Sequence, residues 1–209
     1  MKAKSWRQLA VWLHVVSGVG WMAQALALFS LITFGLAKPD QLPAAMDMAG
    51  RLDMTLLAQM ANVSTFTGFM LAAATAWGFF KHWWVLVKFV ISTVQLYLGI
   101  FVLSPALRDG HGTLAMAVGT ALMASAIALQ AWLSLAKPWG RTPAYKRLPT
   151  APAWVFAAIT LIPLADLAIG YWFGFPMPAL SLLFLLGYVA RRSMSGGSAL
   201  PSWSREQAV

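Results

Sequence analysis

Three ionisable side chains sit inside long apolar runs of this sequence: His14, Lys88 and Asp166. A titratable group within a membrane-spanning helix is costly, so each marks a candidate site. His14, Ser17, Trp21 and Gln24 follow the spacing i, i+3, i+7, i+10, which lines them along one helical face. Lys88, Ser92, Gln95 and Gly99 repeat the pattern at i, i+4, i+7, i+11. A neutral imidazole is a good axial ligand for haem iron, and a lysine beside it can pair with a propionate or, once deprotonated, act as a second ligand. The chemistry offered by these two faces is haem b binding, with His14 on the iron and Lys88, Trp21, Gln24, Ser92 and Gln95 around it. The plainer reading is also open. Lys88 then snorkels its ammonium to the headgroups, and His14 bonds a carbonyl or a hydroxyl.

Asp166 lies in LIPLADLAIG, three residues after Pro163. Proline removes a backbone donor and frees a carbonyl. As a neutral acid Asp166 donates to that carbonyl; the alternative is a place on a proton or cation path. A separate set is Met46 and Met48, with Met54, Met60 and His111 expected on the same side of the membrane. Thioether and imidazole suit Cu(I), although methionine is also ordinary helix filler.

The elements that must carry these residues follow from composition. The chain has 209 residues, of which 60% are hydrophobic and 10% charged. A soluble domain carries about 25% charge. The apolar residues fall in runs of about 20, the length of a bilayer span, and spans of this kind must be helical. We expect an all-α polytopic bundle with six spans at 8–37, 55–80, 83–104, 113–136, 153–173 and 177–190. The last run is short, so a hairpin that does not fully cross is the alternative there. The N-terminal MKAKSWR resembles a signal peptide, but the apolar run from Leu9 to Ala37 is too long for one. The expected organisation is a four-helix core over 1–150, a C-terminal hairpin over 151–192 and a disordered cytoplasmic tail over 193–209. Small residues at Ala117, Gly119, Ala121 and Ser125 suit close helix packing.

The net charge of +9 would suggest nucleic acid in a soluble protein. Here the cations flank spans, where they set topology. Alternate connections collect eleven Lys and Arg on one side and three on the other. The rich side is cytoplasmic by the positive-inside rule, which puts both termini inside a bacterial inner membrane. Trp6, Trp77, Trp83, Trp84, Trp132, Trp139 and Trp154 fall at that interface. The absence of cysteine excludes disulfides and thiolate sites. With this orientation His14 lies about 10 Å and Lys88 about 7 Å above the inner ends of their helices. If the first and third spans pack together, the two meet at one depth.

The segments WLHVVSGVGWMAQALALFSLI and WWVLVKFVISTVQLYLGIF resemble two helices of the HemJ/CopD group of bacterial polytopic membrane proteins. The likeness rests on the His of the first helix, the Trp seven residues later and the W-x-x-x-K of the other. It implies that His14 and Lys88 lie nearest a haem or metal. The HemJ branch holds haem b-binding protoporphyrinogen oxidases, and the CopD branch is tied to copper uptake or resistance. Ala23–Gln24–Ala25 and Leu98–Gly99–Ile100 replace the further Arg, Tyr and His residues of the HemJ pattern. The resemblance therefore implies a relative outside both branches. Three functions follow as expectations: haem b binding for electron transfer or porphyrin handling, CopD-like copper or small-solute transport, or a non-catalytic subunit beside homo-oligomeric or partner membrane helices.

Overall fold

The computed structural model describes residues 2–143 and 150–195. The part of the expected tail from 196 onward lies outside them, as do Lys146 and Arg147 of the fifth connection. Regular structure among the described residues is helical, apart from an isolated bridge between His82 and Arg141. The helices are α1 (Ala3–Ala37), α2 (Leu42–Leu52), α3 (Ala58–Ala74), α4 (Trp83–Leu98), α5 (Ser104–Arg108), α6 (Leu114–Ala136), α7 (Ala153–Phe173) and α8 (Ala179–Ser195). Among the described residues, five stretches are long and apolar enough to cross a membrane, as in a multi-pass membrane protein: Ala3–Ala37, Pro39–Ala74, Trp83–Arg108, Leu114–Ala136 and Ala153–Phe173.

Two of these stretches differ from the expected spans. The segment 38–54 is no loop: α2 runs into α3 through a π-helical turn, Asp53–Leu57. Its mixed charges read as a connection, yet Asp47 and Arg51 lie on the exposed face of α2, where they pair at 3.0 Å. A second π-helical turn, Gly99–Leu103, joins α4 to α5. In the other direction, α3 stops at Ala74 and residues 75–82 are irregular.

The connections sort by end of the bundle. Trp6, Ala74, Ala151, Val155 and Tyr188 belong to one apolar cluster, which gathers the starts of α1 and α7 with the ends of α3 and α8. At the same end Ala151 N–H donates to Ala74 O at 2.8 Å, and Thr142 donates through its amide to Lys81 O and through its hydroxyl to Phe80 O. Trp77 stacks edge-on against Trp84 and His82. The opposite end gathers Ile32, Met46, Leu107 and Met116. The cation-rich connections thus share an end, as their charge pattern requires.

In the middle, Trp21 and Ala25 of α1 pack on Ala61 of α3 and on Met123, Ala124 and Ile127 of α6. Helix α1 is the axis of the bundle, in contact with α2, α3, α6 and α7. Val155, Phe156 and Ile159 of α7 are fully buried in the first cluster, so α7 packs as part of the core rather than beside it. Helix α8 returns from the far side of α7 without starting at its tip. Gly174, at φ 67°, ends α7 in the left-handed conformation that favours glycine. The chain then folds inward, with Phe175 N–H donating to Gly170 O at 3.0 Å.

Candidate functional site

Helices α1 and α3 approach closely because glycine lies at their contact. A Cβ on Gly18 would come within 3.3 Å of Ser64 Oγ, and one on Gly20 within 3.1 Å of Met60 Sδ. Close approach through small residues is the usual device where lipid removes any hydrophobic drive between helices. His14 occupies this seam. Its Nδ1 stands 2.9 Å from the carbonyl oxygen of Ser64 and 3.2 Å from Thr67 Oγ1. A carbonyl can only accept, so Nδ1 carries the proton and Nε2 keeps a lone pair. The Thr67 hydroxyl donates to Val63 O at 2.7 Å, which leaves its lone pairs toward the imidazole. Gly68 closes the ring's other side: a Cβ there would stand 2.8 Å from His14 Cε1.

The second polar stripe faces elsewhere. Lys88 Nζ donates to Ser134 Oγ at 2.6 Å, and Ser134 Oγ donates to Gln130 O at 2.9 Å. Ser92 Oγ donates to Gln130 Oε1 at 2.7 Å, and Gln130 Nε2 donates to Gln95 Oε1 at 2.6 Å. Gln95 Nε2 finishes the series on Met123 O at 2.9 Å and contacts Met123 Sδ at 3.1 Å. The result is a hydrogen-bonded ladder between α4 and α6. Its α6 members, Gln130 and Ser134, were not singled out in the sequence. Their four-residue spacing mirrors that of Lys88 and Ser92, which is the signal that could have found them.

The two stripes therefore do not form one face-to-face seam, because α6 and α3 lie between α1 and α4. They converge on α6 instead. Trp21 packs against Met123, whose carbonyl Gln95 caps. Ser17 is spent locally, donating to Leu13 O at 2.7 Å. Gln24 is partly buried one turn beyond Trp21. Among the described residues, two buried polar atoms find no hydrogen-bond partner: Trp21 Nε1 and Thr65 Oγ1.

Asp166 is buried and accepts rather than donates. Leu180 N–H reaches Oδ1 at 3.0 Å and Ser181 N–H reaches Oδ2 at 2.8 Å. It caps the first turn of α8 across a helix hairpin, satisfying two amides that no carbonyl of α8 can reach. The expected bond to a carbonyl freed by Pro163 is replaced by these two. Gln59 and Asn62 of α3 complete a cleft beside it with Pro163 and Ser181.

One buried acid was missed. Asp53, in the first π-helical turn, is 3% exposed and accepts from Ser104 Oγ at 2.6 Å, just beyond the second π-helical turn. The bond ties the two irregular turns together. In sequence Asp53 is one acid among mixed charges, and nothing local marks it as buried. The methionines are dispersed. Met46 is 2% exposed and packed in the core, whereas Met48 is 57% exposed on the opposite face of α2. Met54 Sδ accepts from Arg108 at 3.2 Å, and His111 is exposed in the connection before α6. Among the described residues no three His, Cys, Asp or Glu side chains gather to hold a metal ion.

No family model matches this chain, and neither does any curated protein or solved structure.

Proposed function

We propose that this chain is a multi-pass protein of the bacterial inner membrane that binds haem b through His14, for electron transfer or porphyrin handling. One observation carries the reading: the His14 imidazole is held by Nδ1 on the Ser64 carbonyl and keeps Nε2 as a free lone pair. Metal-bound histidines characteristically donate the other ring N–H to a carbonyl or carboxylate, which fixes the ring and raises its basicity. This donor set fits an axial ligand. Haem, when bound, supplies one-electron chemistry, or is itself the cargo. Thr67 and Gly68 hold the ring in place, and Lys88 supplies a cation for a propionate. The copper reading has less support, because Met46 and Met48 face apart.

The topology goes with it. Five full spans and a shorter sixth, α8, put both chain ends on the cytoplasmic side. The shared end of the cation-rich connections supports this orientation. The test is colour. The protein purified in detergent and titrated with haem is expected to give a Soret band that shifts or vanishes in His14→Ala. No Soret change with added haem overturns the reading, and a band unaltered in His14→Ala overturns the ligand.

A further inference from the structure

Asp166 lines a cleft enclosed by α3, α7 and α8, together with Gln59, Asn62, Pro163, Pro178 and Ser181. The cleft has room for about one water-sized occupant. Its walls are rich in oxygen and poor in free backbone donors. The N–H groups of Leu180 and Ser181 are already spent on the Asp166 carboxylate, and Pro163 and Pro178 have none to give.

Three neutral side chains around the cleft are unspent. Gln59 and Asn62 stand three residues apart on α3 and share a face. Neither side chain has a hydrogen-bond partner among the described residues. Gln59 reaches α7 itself, since a methyl group on Gly170 would stand 2.6 Å from its Nε2. Rotation about the last torsion of an amide exchanges nitrogen for oxygen and needs no new space. Ser181 is 3% exposed, and its hydroxyl is also without a partner. Ser17, Thr67 and Thr160, by contrast, each donate to the carbonyl four residues back.

The charge decides what this space suits. Asp166 is 5% exposed and lies in a span. The one ion pair among the described residues is the remote Arg51–Asp47. Each Asp166 oxygen takes one N–H and keeps a further lone pair. A water would satisfy the neutral groups and leave the negative charge uncancelled in lipid. A monovalent cation does both. A divalent ion would replace one uncompensated charge by another. A small volume and four oxygen-bearing side chains suit Na⁺ better than K⁺, whose shell is larger.

We propose that Asp166, Gln59, Asn62 and Ser181 form a Na⁺ site that ties the α7–α8 hairpin to α3. The site is independent of the haem reading.

The test is to melt the detergent-purified chain in NaCl, KCl and choline chloride at equal ionic strength. Na⁺ is expected to raise the melting temperature by a few degrees above the other two, saturating with concentration, as binding to the folded state requires. Asn62→Leu and Ser181→Ala each remove an oxygen that makes no other bond, and both leave the two backbone bonds to Asp166 in place. Each should weaken the Na⁺ response about tenfold in concentration. Asp166→Asn should abolish it; because that change also weakens the cap on α8, the other two variants carry the test. A rise no larger in Na⁺ than in K⁺ or choline overturns the site. So does a Na⁺ response that Asn62→Leu and Ser181→Ala both leave intact.

Discussion

The seam between α1 and α3 and the seam between α4 and α6 solve one problem in opposite ways. Both hold helices together where lipid tails compete for every apolar contact. The first uses absence: Gly18, Gly20 and Gly68 remove side chains so that backbones approach, and a Ser64 carbonyl reaches His14 directly. The second uses presence: Lys88, Ser92, Gln95, Gln130 and Ser134 reach across a wider gap and bond side chain to side chain. The glycine seam is intolerant of volume and indifferent to most polar changes. The ladder tolerates volume and fails when one rung loses its partner. A ligand that needs a rigid imidazole is served by the first seam. A helix that must be held without deep packing is served by the second, and α4 leaves Val90, Val94 and Tyr97 half or more exposed.

This contrast can be broken in order of expected effect. Gly68→Leu is the harshest probe, since even a methyl group would meet the His14 ring at 2.8 Å. It should cost about 3 kcal/mol or more, read as lost melting temperature in detergent, with His14 expelled from its bond to Ser64. A tolerated Gly68→Leu would refute close packing at this seam. Gln130→Leu should cost about 1–2 kcal/mol, because it strands Ser92 and Gln95 together. Hydrogen exchange should then rise in α4 and not in α1. Adding Ser92→Ala and Gln95→Leu to it should restore most of the loss, since removing every partner costs less than stranding one. Asp166→Ala should cost about 1–2 kcal/mol by uncapping α8. A cysteine placed at Leu180 should then label faster, with both seams unaffected. Arg51→Ala breaks an exposed pair on α2 and should move stability by less than about 0.5 kcal/mol.

Much of this architecture was legible in the sequence. The spans at 113–136 and 153–173 match α6 and α7 almost to the residue, because Thr113 caps the Met116 amide and Pro152 precedes α7. The polar faces were legible too, since periodicity fixes which residues share one side of a helix. What periodicity cannot give is the neighbour. Depth brought His14 and Lys88 level, and the inference that their helices touch does not follow from depth. In the fold each has a different partner helix: His14 bonds Ser64 on α3 and Lys88 bonds Ser134 on α6. The helix over 42–52 was hidden by its mixed charge, and Asp53 by the same disguise. The hairpin over 151–192 was expected, but the capping role of Asp166 depends on its register, which brings Leu180 back to the level of Asp166 and is not fixed by residue spacing.

That reversal bears on how the protein reaches its membrane. A lone α7 emerging from the insertion machinery would present the Asp166 carboxylate to lipid with nothing to receive it, at a cost of about 3 kcal/mol near the centre of a helix. The amides of Leu180 and Ser181 arrive only after some fifteen more residues have been made, as the sequence order dictates. The last two helices are therefore expected to insert as one unit, α8 supplying the two amides that the Asp166 carboxylate of α7 lacks on its own.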